Sequence, residues 1–324
     1  MNTTPLMRAT SASPPVPDHG RIRTPRHRVP APIAPYLFLL PAIVLFLLFL
    51  VAPIGYAVVL SLFGQRVPAG SGGYGAREQT FVGLDNYVTS LTDPEFVASV
   101  GRLGLYAVIV IPCTLGIALL FALLLDLPGI RGARIWRTGI LLPYAIPGVI
   151  AAMMWGFLYL PSTSPVNAVL TGVGLPAVEP LASGSVIAAL ANISVWGSLG
   201  FNMVIMFTAL RAVPAEVYEA ARIDGCSEFD IAVRIKIPLI VPSLVLTSLF
   251  ALIGTLQAYA EPTALRPLTD TISSTFFPLM KVNTDAFTND NINGAAATAV
   301  IIAGFTLAAS AILLRVTRDR SDAS

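Results

Sequence analysis

The sequence predicts an all-α integral membrane protein with six membrane-crossing helices, and three observations carry that expectation. First, 55% of the 324 residues are hydrophobic and only 12% are charged, with a mean hydropathy of +0.75; soluble domains carry about twice that share of charge. Second, the apolar residues gather into charge-free runs, each long enough at about 1.5 Å per residue to cross roughly 30 Å of hydrocarbon. Third, Lys and Arg fall unevenly on the segments between those runs. The formal net charge of +2 is too small to argue for a nucleic-acid partner.

Residues 1–33 are rich in Pro, Ser, Thr and Arg and are expected to form a disordered tail. The run 34–62 is free of charge and exceeds the hydrophobic stretch of a signal peptide, and no small-residue cleavage site follows it promptly. It is the expected first membrane helix. A polar segment, 63–97, leads to a core of 98–316 holding five further runs, at about 103–125, 138–160, 184–210, 239–260 and 294–314. Residues 317–324 form a short tail. Pro112, Pro143 and Pro147 lie inside runs and are expected to kink them. The last run is strewn with small residues, including Ala299, Ala303, Gly304 and Ala308, as close packing of membrane helices requires. Cys113 lies in an apolar run and Cys226 in a charged loop, so no disulfide joins them, and no Cys/His cluster offers a metal site.

Six crossings put both ends on one side. With that side inside, fifteen of the 20 Lys and Arg residues are internal: five in the tail, then Arg131, Arg134, Arg137, Arg211, Arg222, Arg234, Lys236, Arg315, Arg318 and Arg320. Arg66, Arg77, Arg102, Arg266 and Lys281 fall outside. The asymmetry predicts cytoplasmic termini.

One segment, 211–238, interrupts the apolar pattern with nine charged side chains, from Arg211 to Lys236. Each costs roughly 2.5–3.5 kcal/mol at a bilayer centre, so the segment stands outside the membrane. Pro214 suits the first position of a helix, and Val213, Val217, Ala220, Ala221 and Asp224 recur at three-to-four spacing. Gly225 sits where a left-handed cap ends a helix. Ser227 then caps a second helix, with Asp230 three residues on, and Phe229, Val233 and Ile237 supply its apolar face. Two short helices joined at a glycine make a shaped docking surface.

Glu219-Ala220-Ala221, then Gly225 after three intervening residues, then Ile235 and Pro238, resemble the cytoplasmic coupling loop of ATP-binding-cassette importer permeases, with Ile237 where Leu is usual. Ala209–Pro214, Asp224, Gly83-Leu84-Asp85-Asn86-Tyr87, Asp93-Pro94-Glu95-Phe96 and Leu141-Leu142-Pro143-Tyr144 are similar to the sugar-type branch, and the resemblance covers residues 34–316. It implies a type-1 importer permease bundle in a bacterial or archaeal cytoplasmic membrane. It also implies ATPase coupling through Glu219, Ala220, Ala221, Asp224, Gly225, Ile235 and Pro238. The implied partners are ATP-binding-cassette ATPase subunits, a second permease subunit, an extracytoplasmic substrate-binding protein and a sugar-like small molecule. The chain departs from the branch at Leu265–Asp270, where a Gly-Gly-Pro stretch is usual.

The missing chemistry points the same way. Neither Lys236 nor Lys281 follows a phosphate-binding glycine loop, so the chain is not expected to be an enzyme or to hold a cofactor; ATP belongs to the partner subunit. The runs also lack the ionisable residues that proton-driven carriers place in the membrane. Uncharged polar and aromatic groups remain as candidates for a substrate path: Asn192, Trp196, Asn202, Gln257 and Tyr259, with Tyr144 and Trp155 behind them. Amides both donate to and accept from hydroxyls, and rings pack on the apolar faces of sugars. The same residues also serve as inter-helix bonds and interfacial anchors. An independent secondary carrier or channel is the rival reading, and a membrane scaffold a second one. The first requires ion sites or inverted repeats; the second leaves the shaped loop without a task.

Overall fold

The computed structural model describes residues 34–66 and 78–321. The tail 1–33, residues 67–77 with Arg77, and residues 322–324 lie outside the described set. Helix α1 (Ala34–Phe46) passes through a π turn, Leu47–Val51, into α2 (Ala52–Ser61), matching the expected first span. Two short strands, β1 (Phe63–Arg66) and β2 (Glu78–Phe81), pair antiparallel with Phe63 opposite Phe81. In α3 (Asp85–Thr92) the Asn86 amide donates to the carbonyls of Ser61 and Phe63 at 2.8 Å each, and the Tyr87 hydroxyl meets Ser61 Oγ at 2.6 Å. The Gly-Leu-Asp-Asn-Tyr stretch thus satisfies polar groups freed at the end of α2.

Helix α4 (Pro94–Leu125) starts well before the apolar run expected from 103, because Asp93 accepts from the Glu95 N–H (2.9 Å) and Pro94 takes the first helical position. Its buried residues, from Phe96 through Tyr106 and Thr114 to Leu125, step by three or four along one face, and the helix continues through Pro112. The next run does not. Helix α5 (Ala133–Leu141) ends in a tight turn, Leu142–Ala145, and α6 (Gly148–Tyr159) leaves at 97° to it. The single span expected at 138–160 is therefore broken, not kinked. Pro147 removes an N–H and drives Ile146 into an extended conformation (ψ 125°), which no α-helix tolerates. Among the described residues, five helices are long and apolar enough to cross a membrane, or six if this bent pair counts as one span.

After α7 (Pro165–Gly172), the long α8 (Val186–Ala212) packs against the buried stripe of α4. The charged segment supplies α9 (Ala215–Ile223), α10 (Glu228–Ile231), a π turn at Ala232–Lys236 and α11 (Ile237–Leu239). Helix α12 (Val241–Leu256) breaks at Gln257–Tyr259 before α13 (Ala260–Leu265), and α14 (Pro278–Phe287) and α15 (Ile292–Ser321) complete the chain. Two apolar clusters hold α4 and α8 together. One joins Leu103, Tyr106 and Val110 to Leu190, Ile193, Phe277 and Met280; the other joins Ala118, Ala122 and Leu125 to Met203, Met206 and Leu210. Gly200 lets α8 touch backbone: a Cβ there would stand 2.3 Å from the Ile140 carbonyl oxygen and 2.6 Å from Leu141 Cα.

The small residues of the last span are used differently from expectation. Ala295, Ala296 and Ala297 are buried, while Ala303, Gly304 and Ala308 are exposed in this chain. At the same end as β1 and α3, Lys281 Nζ bridges Asp93 (2.7 Å) and Asp285 (2.9 Å). Lys281's hydrogen bond holds the Asp93 carboxyl below its ordinary 3.8. Burial pulls the Lys281 ammonium down, but its bonds to Asp93 and Asp285 outweigh that and raise it above 10.5. Asp93 therefore stabilises fully above its unfolded pKa, and that contribution is lost as pH falls through its depressed native value; Lys281's is lost only as pH rises through its raised one. Lys281→Met is expected to cost about 1–3 kcal/mol at neutral pH, read as melting temperature in detergent. It is also expected to flatten the wild-type loss of stability below pH 3.8. An unchanged acid limb rules the bridge out as its source.

Candidate functional site: the coupling elbow and the helix breaks

The charged segment folds as two short helices meeting at a capped elbow. Pro214 is the residue before α9, one position earlier than expected, and carries an extended ψ of 138°. At the other end of α9, Gly225 adopts φ +85°, the left-handed conformation that costs glycine little. The Gly225 N–H donates to the Arg222 carbonyl and the Cys226 N–H to that of Ala221, both at 3.0 Å. This pair of bonds closes the helix end. Ser227 Oγ accepts from the Asp230 N–H (3.2 Å) and donates to its carboxylate, which lies below the ordinary carboxylate range chiefly for that reason. Across the turn, Arg222 Nε bonds Glu228 Oε1 at 2.7 Å, lowering the Glu228 carboxyl and raising the guanidinium. The elbow is stapled on both sides of Gly225.

Its exposed face carries Glu219, Ala220, Asp224 and Gly225 beside two large apolar side chains, Ile223 (86% exposed) and Phe229 (76%). Ala221 is buried, Ile235 half-buried and Pro238 exposed. The expected apolar face of the second helix is corrected here: Phe229 and Val233 point outward, and Ile231 is the buried residue. The π turn adds a residue, so Lys236 follows Ile231 inward after five residues instead of four, and Ile240 follows four later.

Lys236 is the unexpected centre of the elbow's base. Its side chain is 3% exposed, and Nζ meets Asp126 Oδ2 at 2.6 Å; Asp126, 4% exposed, also faces Arg211 Nε at 3.1 Å. Lys236 Nζ stands 5.0 Å from the Tyr218 ring centre, and the Tyr218 hydroxyl donates to the Leu210 carbonyl. One carboxylate at the end of α4 thus ties down the end of α8, helix α9 and the entry to α12. Asp126 closing a charge-free run was the available signal; its partner 110 residues away was not.

The candidate path residues divide. Asn192 is exposed and donates its amide to the Tyr159 hydroxyl (2.9 Å). Trp196 meets Trp155 edge-on at 5.8 Å, and Gln257 lies exposed at the head of the α12–α13 break with Tyr259 half-buried just after it. Asn202 is 2% exposed; its amide donates to the Ser198 carbonyl of its own helix at 2.9 Å, while its Oδ1 is buried without a hydrogen-bond partner among the described residues. A second aromatic run was read only at Tyr144, and its partners Phe201 and Phe250 went unread in the sequence. Tyr144, in the turn between α5 and α6, stacks on Phe201 at 4.9 Å and 13°, and Phe201 leans on Phe250 at 6.0 Å. The two breaks adjoin, since Ala260 Cβ lies 4.0 Å from where a Cβ on Gly148 would stand. Irregular backbone at membrane depth is tolerated where it is packed in protein or lines an aqueous cavity.

A bundle of apolar helices with adjoining breaks, and a stapled charged elbow outside the apolar runs, defines a multi-pass membrane transport component. Residues 118–322 match the family described as binding-protein-dependent transport system inner membrane component, and the chain belongs to that family. It is 30% identical over 293 residues to the diacetylchitobiose uptake system permease protein NgcF of Streptomyces coelicolor, covering 87% of this chain and 81% of that one. It is 32% identical to the probable ABC transporter permease protein YurN of Bacillus subtilis (87% and 95% covered). To the sn-glycerol-3-phosphate transport system permease protein UgpA of Salmonella typhimurium it is 30% identical (83% and 88%). Among solved structures, a bacterial ABC transporter that imports the acidic polysaccharide alginate superposes with a TM-score of 0.74 at 21% identity, covering 88% of this chain and 95% of that one. The fold is that of an importer permease.

Proposed function

We propose that this chain carries a neutral sugar or related polyol across the membrane as one of two permease subunits, driven by separate ATPase subunits that grip the elbow. The observation that carries the reading is the exposed pair Ile223 and Phe229 on a stapled frame, with Glu219 on the same exposed side. That is an amphipathic helix prepared for a groove. An extracytoplasmic binding protein delivers the substrate, and both termini are cytoplasmic, as the Lys/Arg sorting requires. ATP binding closes the ATPase pair, and the elbow passes the motion through Asp126 and Lys236 into α4, α8 and α12 as rigid-body rocking. Asn192, Trp196, Gln257 and Tyr259 meet the substrate, joined by the Tyr144–Phe201–Phe250 run. The diacetylchitobiose relative supports an uncharged saccharide.

The test is made at the contact. Gly225→Val places a β-branched residue at φ +85°, which costs about 1–3 kcal/mol and misdirects α10. Glu219→Lys reverses a charge, and Phe229→Asp removes the apolar anchor. Each is expected to cut copurification of the ATPase subunit and receptor-stimulated ATP hydrolysis at least tenfold in reconstituted vesicles, with membrane insertion retained. Full copurification and uptake in all three variants means the elbow is an ordinary connector and removes the main support of this reading.

A further inference from the structure

The fifth apolar segment holds two charged side chains beyond the charge-free run ending near residue 260, the half-buried Glu261 and the exposed Arg266. The apolar segment continues as Val241–Leu268, and Glu261 lies within it, in the first turn of α13. Glu261 is half-buried, and among the described residues it has no hydrogen bond and no ion-pair partner. By contrast, Asp126 and Lys281 are each held by two opposite charges. Its Oε1 stands 3.4 Å from the position a Cβ would take on Gly148, the first residue of α6. The carboxylate therefore lies beside the N-terminal end of α6.

The surroundings connect this carboxylate to the proposed path. On α6, Gly148, Ala152, Trp155 and Tyr159 are four, three and four residues apart, so they share one face. Trp155 meets Trp196, and Tyr159 bonds Asn192. Glu261 touches the opposite end of that face, about 10 Å along the axis from Trp155 at 1.5 Å per residue. Tyr259 and Gln257 precede it in the break. A carboxylate within an apolar segment and without a cation partner among the described residues is a functional-site candidate by default.

We infer that Glu261 is a charge-selecting residue of the path: it admits neutral and amino-bearing saccharides and excludes uronates and phosphorylated ones. This rests on the path reading above. A second permease subunit bringing a cation to Glu261 is the competing role, and it predicts no charge selection.

The experiment measures equilibrium binding of three labelled disaccharides to the intact, receptor-free transporter in nanodiscs: diacetylchitobiose (neutral), chitobiose (cationic) and digalacturonate (anionic). Wild type is expected to bind the anion at least tenfold more weakly than the neutral sugar. Glu261→Gln is expected to raise the anion-to-neutral affinity ratio at least tenfold and to abolish any preference for the cation, while Glu261→Asp restores the wild-type ratio. Trp196→Ala serves as the independent check, since it weakens all three probes if the path is where we place it. No saturable binding, or no effect of Trp196→Ala, overturns the path reading and the charge rule with it. Saturable binding that Trp196→Ala weakens, with an unchanged ratio in Glu261→Gln, overturns the charge rule alone.

Discussion

Asp126→Ala is expected to destabilise the protein by about 3–5 kcal/mol, the cost of stranding one member of a buried ion pair. Lys236 would be left 3% exposed without its 2.6 Å partner, whereas Arg211, 58% exposed, can turn to water. The base of the elbow would open before the membrane helices separate. The expected result is a lower melting temperature in detergent together with loss of the ATPase subunit from the purified complex. Replacing both partners by apolar residues of similar size, Asp126→Leu with Lys236→Met, is expected to recover most of the stability, because a buried pair replaced as a unit is often neutral. If the single variant melts and copurifies as wild type does, the cluster does not hold the elbow.

The second large effect is Gly200→Val. Overpacking a core typically costs about 1–3 kcal/mol, and here the obstacle is backbone, with the Ile140 carbonyl 2.3 Å from the added Cβ. A flexible side chain can move aside; the end of α5 cannot without dragging the Tyr144 turn along. Helix α8 would stand off from α5, and the Tyr144–Phe201 stack would open. Gly116→Val is the matched control, since nothing lies within 4 Å of a Cβ there and valine is slightly the better helix former. Gly200→Val is expected to melt at least 5 °C below that control. Equal melting temperatures would show that α5 and α8 are free to separate.

How far the sequence could be read depends on how local each cause is. The long spans and the elbow were legible because charge-free length, a glycine at a helix end and a Ser–Asp cap act within a few residues. The break at Pro143–Pro147 was read only as a kink, because proline reports a lost N–H and not how far neighbours let the chain turn. Phe229 was put on the wrong face because α10 buries Ile231, half a turn away, and the π turn after it then brings Lys236 inward at a five-residue step that no three-to-four pattern reveals. Asp126 and Lys236 lie 110 positions apart, and Glu261 sits just past the end of an apolar run that looked complete; both needed the chain to be folded first.

The π turn at Ala232–Lys236 also gives the loop motif a reason for its count. Nine residues separate Gly225 from Ile235, and that number includes the additional one. Each residue of a helix turns the chain by about 100°, so the turn sets the angular phase between the outward anchor Phe229 and the whole of α12. A chain one residue shorter could repeat every side chain of the motif and still present the fifth span a quarter-turn or more out of phase. The spacing therefore works as a gear ratio between the two sides of the membrane surface, and a single deletion there changes the gearing without touching a contact residue.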